Sequence, residues 1–477
     1  MNKKTLPMWR GLIAVFVSLL CVFIVARVIT ESYRSYIDDA LGTKSQSYVT
    51  SDSDDDLYTY QSTYSTSQEM VDAQIAFDIE VEENGAVLLK NENAALPLSS
   101  DELKVSLVGK AAYSPVYGGQ MGSSAADNSG ISEDYAQTSL IDALEGEGFA
   151  VNPDLESAYT AIGSSVSTLS GSFSMTDRDS YESSGWDYDI EEVTLDELEA
   201  QQSGCTTDFG DYDTAIVVLG RINSEGRDYI PGTAGVSDEG AEDPLGLSDD
   251  EREMIGMAKS NADKVVVLIN ANSAMEIPEV ANDEDIDTIL WIGTPGSYGM
   301  PAVAEILVGD VNPSGHLPDT YAYDNSASPA AQNWDIFTYD NLDEIGTEYG
   351  DEDVTNGVAL DAATMRASAY TVYAEGIYVG YKYYETRYAD SVMDGTGTGA
   401  SGSVGAADGQ TSWSYETEVL YPFGYGLSYT DFTQTIKSVE VDKDEETVTA
   451  VVEVENNTAT AGKEAVQLYV SVPYTEM

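Results

Sequence analysis

Histidine is all but missing from this chain. Its 477 residues hold one, His316, and two cysteines, Cys21 and Cys205. A Ser-His-Asp triad could draw only on His316, and a zinc site would be nearly free of His. Two distant cysteines build neither a disulfide framework nor a CxxC redox motif. Basic residues are scarce as well. There are 21 Lys and Arg against 84 Asp and Glu, a formal net charge of −63. That balance excludes a nucleic-acid binder, because phosphates need clustered Lys and Arg, and it argues against a surface for anionic lipid headgroups. The acidic run Asp52–Asp56, broken by Ser53, lacks the Gly and distal Glu of a calcium loop. No metal or cofactor is expected. Carboxylates are what remain for proton chemistry, and 42% apolar residues suffice for a large core.

The N-terminus predicts an uncleaved membrane anchor over residues 1–30. Lys3, Lys4 and Arg10 precede the uncharged run Gly11–Ala26, which reaches about 20 residues with its flanks, the short end of a spanning helix. No clear cleavage site follows it. The bulk of the chain is then expected outside the cell, held at the membrane. Residues 31–69, rich in Ser, Thr, Tyr and Asp, read as a flexible acidic linker.

From residue 70 the texture changes. Val71, Ile75 and Ile79 recur at helical spacing. Continuous apolar runs then predict strands at Val105–Val108, Ala215–Leu219, Val265–Ile269 and Thr288–Ile292. Runs without alternation suit strands covered on both faces. Between them lie helix signals. Leu140, Ile141 and Leu144 share a face. Ser248 and Glu251 form a capping box, and Pro301 opens a helix that Gly309 closes. Strand and helix in alternation predict an α/β fold, a three-layer α/β/α sandwich on a mostly parallel sheet, over residues 70–432. Residues 163–190 read as a surface insertion and 395–410 as a low-complexity loop. Beyond Thr435 the period becomes two, at Val439 and Val441, then Val448, Val452 and Val454, then Val466, Leu468 and Val470. Three such strands over 433–477 predict an incomplete β-sandwich.

Ligands of such sheets bind at the carboxyl ends of strands. The strand Ala215–Leu219 leads into Gly220-Arg221-Ile222-Asn223-Ser224-Glu225-Gly226-Arg227-Asp228. Glu225 there fits a carboxyl that holds its proton in a dry loop and gives it to a leaving oxygen. With 84 acidic residues in the chain, a solvated acidic loop is the commoner reading of any single Glu. His316, in Asn312–Pro318, reads as part of a structural turn.

Six segments, in order, carry a resemblance. They are Glu83–Asn91 with Leu96-Pro97-Leu98, Arg221–Asp228, Leu247-Ser248-Asp249, Gly309–Gly315, Val379–Thr386 and Tyr421–Tyr429. Together they resemble glycoside hydrolase family 3, the β-glucosidase and β-xylosidase family. The resemblance implies that residues from about 70 to 475 are that family's second, α/β/α domain followed by part of its fibronectin type III-like domain. It implies a retaining glycosidase that needs no cofactor, acting on a β-linked oligosaccharide or glycoside. Glu225 would be the acid/base residue, with Arg221, Ser224 and Asp228 binding substrate. Tyr229 stands where the family's loop usually has Arg. The nucleophilic Asp belongs to a (β/α)8 barrel that is missing from this chain, and some members of the family place that barrel last. A rival expectation is a tethered carbohydrate-binding or scaffold module without chemistry, whose Tyr-rich patches stack on sugars.

Overall fold

The computed structural model describes residues 63–118, 136–163, 192–221, 245–332, 337–338, 369–370, 372–389 and 414–469, with scattered helical positions between 15 and 30. Two units divide the chain, residues 1–67 and 68–477. In the first, residues 15–20, 22 and 23 are helical and exposed. Among the described residues no helix is long and apolar enough to cross a membrane. Most of the expected anchor lies outside the described residues, as do nearly all of the expected linker, the expected surface insertion beyond Gly163 and the expected low-complexity loop.

The second unit is built on a six-stranded sheet. Its strands are β1 (Val87–Asn91), β2 (Lys104–Val108), β3 (Ala150–Val151), β4 (Thr214–Arg221), β5 (Lys264–Ala271) and β6 (Thr288–Trp291), in the order β1-β6-β5-β4-β2-β3. All neighbours run parallel except β1, which lies antiparallel to β6 at one edge. The expected mostly parallel sheet is therefore present. β1 and the two-residue β3 are additions to the strands read from sequence.

Both faces of the sheet are covered. Ala215, Val217 and Leu219 of β4, with Val265, Val267 and Ile269 of β5, enter one core. Ile216 and Val218, with Val266 and Leu268, enter the other. Period-two side chains that are apolar on both sides give an unbroken apolar run, and each buried branched side chain stabilises by about 1.5–3 kcal/mol. The first core is closed by the helices Pro153–Ile162, Leu195–Gln201 and Asp249–Asn261. Leu140–Gly146 and Met300–Val308 close the second. The three-layer sandwich is as expected.

Helix ends follow the sequence signals. Ser248 and Glu251 complete their capping box, and Thr194 with Glu197 forms another. Pro301 sits in the first turn of Met300–Val308. Gly309 ends that helix at φ 86, a left-handed cap that glycine adopts without strain. The helix α1 (Ser67–Gly85) contains Val71, Ile75 and Ile79, and it begins within the stretch expected to be linker.

The aromatic segment Tyr421–Tyr429 folds back along the sandwich, where the Leu427 N–H donates to Leu88 O at 2.8 Å. Beyond it, Phe432–Asp442 and Thr447–Asn456 pair as an antiparallel ribbon. One face of the ribbon carries Ile436, Val439, Val441, Val448 and Val454, all exposed. Among the described residues two of the three expected strands are present. The segment around Val466 and Leu468 forms no strand as far as Tyr469. It lies beside the ribbon through side-chain bonds, such as Gln434 Nε2 to Glu464 Oε1 at 2.6 Å.

Candidate active site

The strand order locates the crevice. β2 is followed by β3 on one side, and the chain then crosses to β4 on the other. The carboxyl ends of β2 and β4 thus flank a topological switch point, where open α/β sheets bind ligands. Arg221 is the last described residue of β4, and Glu225 follows it by four positions in the sequence. Ser224, Glu225 and Asp228 themselves lie outside the described residues.

Arg221 is buried. Sequence reading expects it to bind substrate, yet it is 3% exposed and its guanidinium forks onto Glu251, with Nη1 to Oε1 at 2.7 Å and Nη2 to Oε2 at 2.8 Å. Nη1 also donates to Gly220 O at 2.8 Å, and Nη2 donates to Gly246 O. A buried guanidinium needs such satisfaction, because its charge cannot be left without a counter-ion. Glu251 Oε2 also accepts the Ser248 N–H at 2.9 Å.

Sequence reading missed two residues around this crevice. Glu192 is 5% exposed and caps the short helix Lys110–Tyr113, accepting the Lys110 N–H at 3.1 and 3.0 Å. Burial pushes its carboxyl up to about 7; the Val193 and Lys110 N–H groups oppose that, and the charge of Glu251 adds to it. Asn270, near the end of β5, is fully buried. Its Oδ1 accepts the Val116 N–H at 2.6 Å, and its Nδ2 donates to Val116 O at 2.9 Å and to Gly293 O at 2.8 Å. It ties the loop after β2 to the loop after β6. A polar residue closing an apolar strand run was the available signal. His316 is half-buried, with Nδ1 3.1 Å from Ser314 O, inside its turn. No group of three or more His, Cys, Asp or Glu that could hold a metal ion occurs among the described residues.

Residues 86–381 match the glycosyl hydrolase family 3 C-terminal domain. The chain belongs to this family. A β-glucosidase of Ruminococcus albus is 26% identical over 397 residues, covering 83% of this chain and 32% of that protein. β-Glucosidase A of Butyrivibrio fibrisolvens is 30% identical over 289 residues, covering 55% of this chain and 28% of its own length. Among solved structures, β-glucosidase 3B from Thermotoga neapolitana in complex with glucose superposes with a TM-score of 0.51 at 25% identity, over 82% of this chain and 43% of that one. The chain thus spans about a third of the length of these two curated relatives. In this family 3 domain the carboxyl ends of β2 and β4 are the candidate active site, and the buried residues Arg221, Glu251, Glu192 and Asn270 support them from below.

Proposed function

We propose that this chain supplies the acid/base half of a membrane-tethered, extracellular retaining β-glycosidase acting on β-glucosides. Glu225 is its proton donor and acceptor. The nucleophile is an Asp on a (β/α)8 barrel outside residues 1–477. In the first step the Glu225 proton passes to the glycosidic oxygen as the bond to the anomeric carbon breaks, and the Asp oxygen bonds that carbon. In the second, water attacks the same carbon, its proton goes to Glu225, and the Asp departs. Two inversions retain the configuration, and the two carboxyl groups must stand roughly 5 Å apart. Ser224 and Asp228 hydrogen-bond the sugar. The basic residues Lys3, Lys4 and Arg10 hold the N-terminus on the cytoplasmic side.

The observation that supports this reading is topological: β4, whose last described residue Arg221 stands four positions before Glu225 in the sequence, borders the switch point of the sheet. Likeness to named β-glucosidases supports the substrate class. The test is hydrolysis of aryl β-glucosides by the chain alone and by the chain joined to a family barrel. Only the joined protein is expected to turn over, and Glu225→Gln is expected to lower its rate by about 10²–10⁴-fold. Turnover by the chain alone overturns the placing of the nucleophile on a separate barrel, and an unchanged rate in the variant removes Glu225 from this role.

A further inference from the structure

Helix α1 is built inside out. Its Glu82 carboxyl is buried with Oε1 unpartnered, whereas Met70, Phe77 and Val81 are 39%, 65% and 52% exposed. These three stand seven and four positions apart, so they line one stripe of the helix. Large apolar side chains left in water forgo the burial that holds the other helices on the sheet. On the neighbouring face, Asp78 Oδ2 accepts the Tyr298 N–H at 2.8 Å, and Oδ1 lies so close to Gly296 that a Cβ there would meet it at 2.6 Å. The Gly296 N–H donates in turn to Tyr117 O at 2.9 Å. The helix is thus fastened to the loops after β6 and β2, at the carboxyl end of the sheet. It runs on into β1, whose first residue Val87 pairs with Trp291, the last of β6. β6 lies two strand spacings, about 10 Å, from β4.

We propose that the stripe of Met70, Phe77 and Val81 is a docking surface for the (β/α)8 barrel, a proposal that rests on the reading above in which a barrel supplies the nucleophile. Ligands of open α/β sheets bind at the carboxyl ends of strands, so the barrel faces the end to which α1 is fastened. A barrel of roughly 250 residues has a radius of gyration of about 18 Å, so one centred on the switch point reaches over α1. Charge gives the rest of the partner's chemistry. Ser67–Gly85 holds no Lys or Arg, and the exposed Glu69 and Glu80, eleven positions apart, run along one side of the stripe. The matching patch is apolar with Lys or Arg at its rim. The same carboxylates, on a chain of net charge −63, repel an anionic lipid surface, which argues against the membrane as occupant.

The experiment measures how fast a neutral maleimide reacts with Phe77→Cys and with Val81→Cys, each combined with Cys21→Ser; the other thiol, Cys205, is buried. Both replaced side chains already stand in water, so each variant is expected to keep the urea midpoint of the parent. Rates are compared between the chain alone and the barrel-joined protein. Joining the barrel is expected to slow both thiols at least about tenfold, which corresponds to docking for about nine-tenths of the time. Glu225→Gln is expected to leave that protection intact while lowering turnover. Unchanged thiol rates on joining overturn the docking surface, and turnover by that same protein leaves the acid/base reading standing. Protected thiols, with turnover indifferent to Glu225→Gln, overturn the acid/base reading and leave the docking surface standing. Slowing of the chain alone by added phosphatidylcholine vesicles, with none from the barrel, assigns the stripe to the membrane and overturns the proposal.

Discussion

Asn270 of β5 and Val116 of the loop after β2 exchange two hydrogen bonds, at 2.6 and 2.9 Å, beneath the switch point of the sheet. A third, to Gly293 O, brings in the loop after β6. One buried amide thereby fixes two of the loops at the ligand-binding end. Asn270→Ala leaves one N–H and two carbonyls without their partner in a dry site. We expect a loss of about 3 kcal/mol, since each stranded polar group costs roughly 1–3 kcal/mol and the costs are not additive. Asn270→Asp keeps the acceptor for Val116 but aims a carboxylate at two carbonyl oxygens, so it should be worse at neutral pH than in acid. Urea unfolding of the chain checks both, and an unchanged midpoint for the Ala variant would falsify the tie.

The sheet was legible because its central strands are buried on both sides. β4 and β5 show unbroken apolar runs that no solvent-facing strand would tolerate. β1 escaped as a strand because five residues ending in Lys90 and Asn91 carry too short a pattern, and its antiparallel pairing with β6 is set by tertiary contact. The ribbon's alternation was legible in Val439, Val441, Val448 and Val454, but Val466 and Leu468 obey the same period without pairing, since alternation alone does not supply a neighbouring strand. At the site, the capping box gave the local partner of Glu251 and hid its distant one. Nothing in local sequence links it to Arg221, 30 positions away, and a loop arginine beside a candidate acid reads as a ligand group until its burial is seen.

Helix α1 turns a carboxylate inward and hydrophobic residues outward: Glu82 is buried, while Phe77 and Val81 face solvent. Burial raises the Glu82 carboxyl from 4.5 to about 8, the charge of Asp78 adding to the effect, and Oε1 has no hydrogen-bond partner. The folded state therefore keeps a proton that the unfolded chain releases between pH 4.5 and 8. The stability due to that proton is complete below pH 4.5 and is lost as pH rises through about 8. Glu82→Gln should remove this slope and leave the variant more stable than the parent at pH 9, by on the order of 2–4 kcal/mol. Glu192, raised to about 7 by burial, contributes a slope of the same sign to both proteins. Unfolding midpoints from pH 5 to 9 make the comparison. Parallel curves for parent and variant would show that Glu82 is ionised in the folded state.

Breaking the Arg221–Glu251 pair from one side should hurt more than removing it whole. Both side chains are almost completely shielded from water, at 3% and 1% exposure. Arg221→Met strands the Glu251 carboxylate, and Glu251→Met strands the guanidinium. Each single variant should lose about 3–5 kcal/mol, the usual cost of an uncompensated buried charge. In the Glu251 variant the cap on the Ser248 N–H is lost as well, at about 1 kcal/mol. The double variant exchanges two desolvated charges for two apolar side chains of similar volume, and should fall within about 2 kcal/mol of the parent. Chemical unfolding of the four proteins measures the coupling. If the losses simply add, the pair is not the energetic unit its geometry implies, and its grip on Gly220 and Gly246 must be sought in the separate hydrogen bonds.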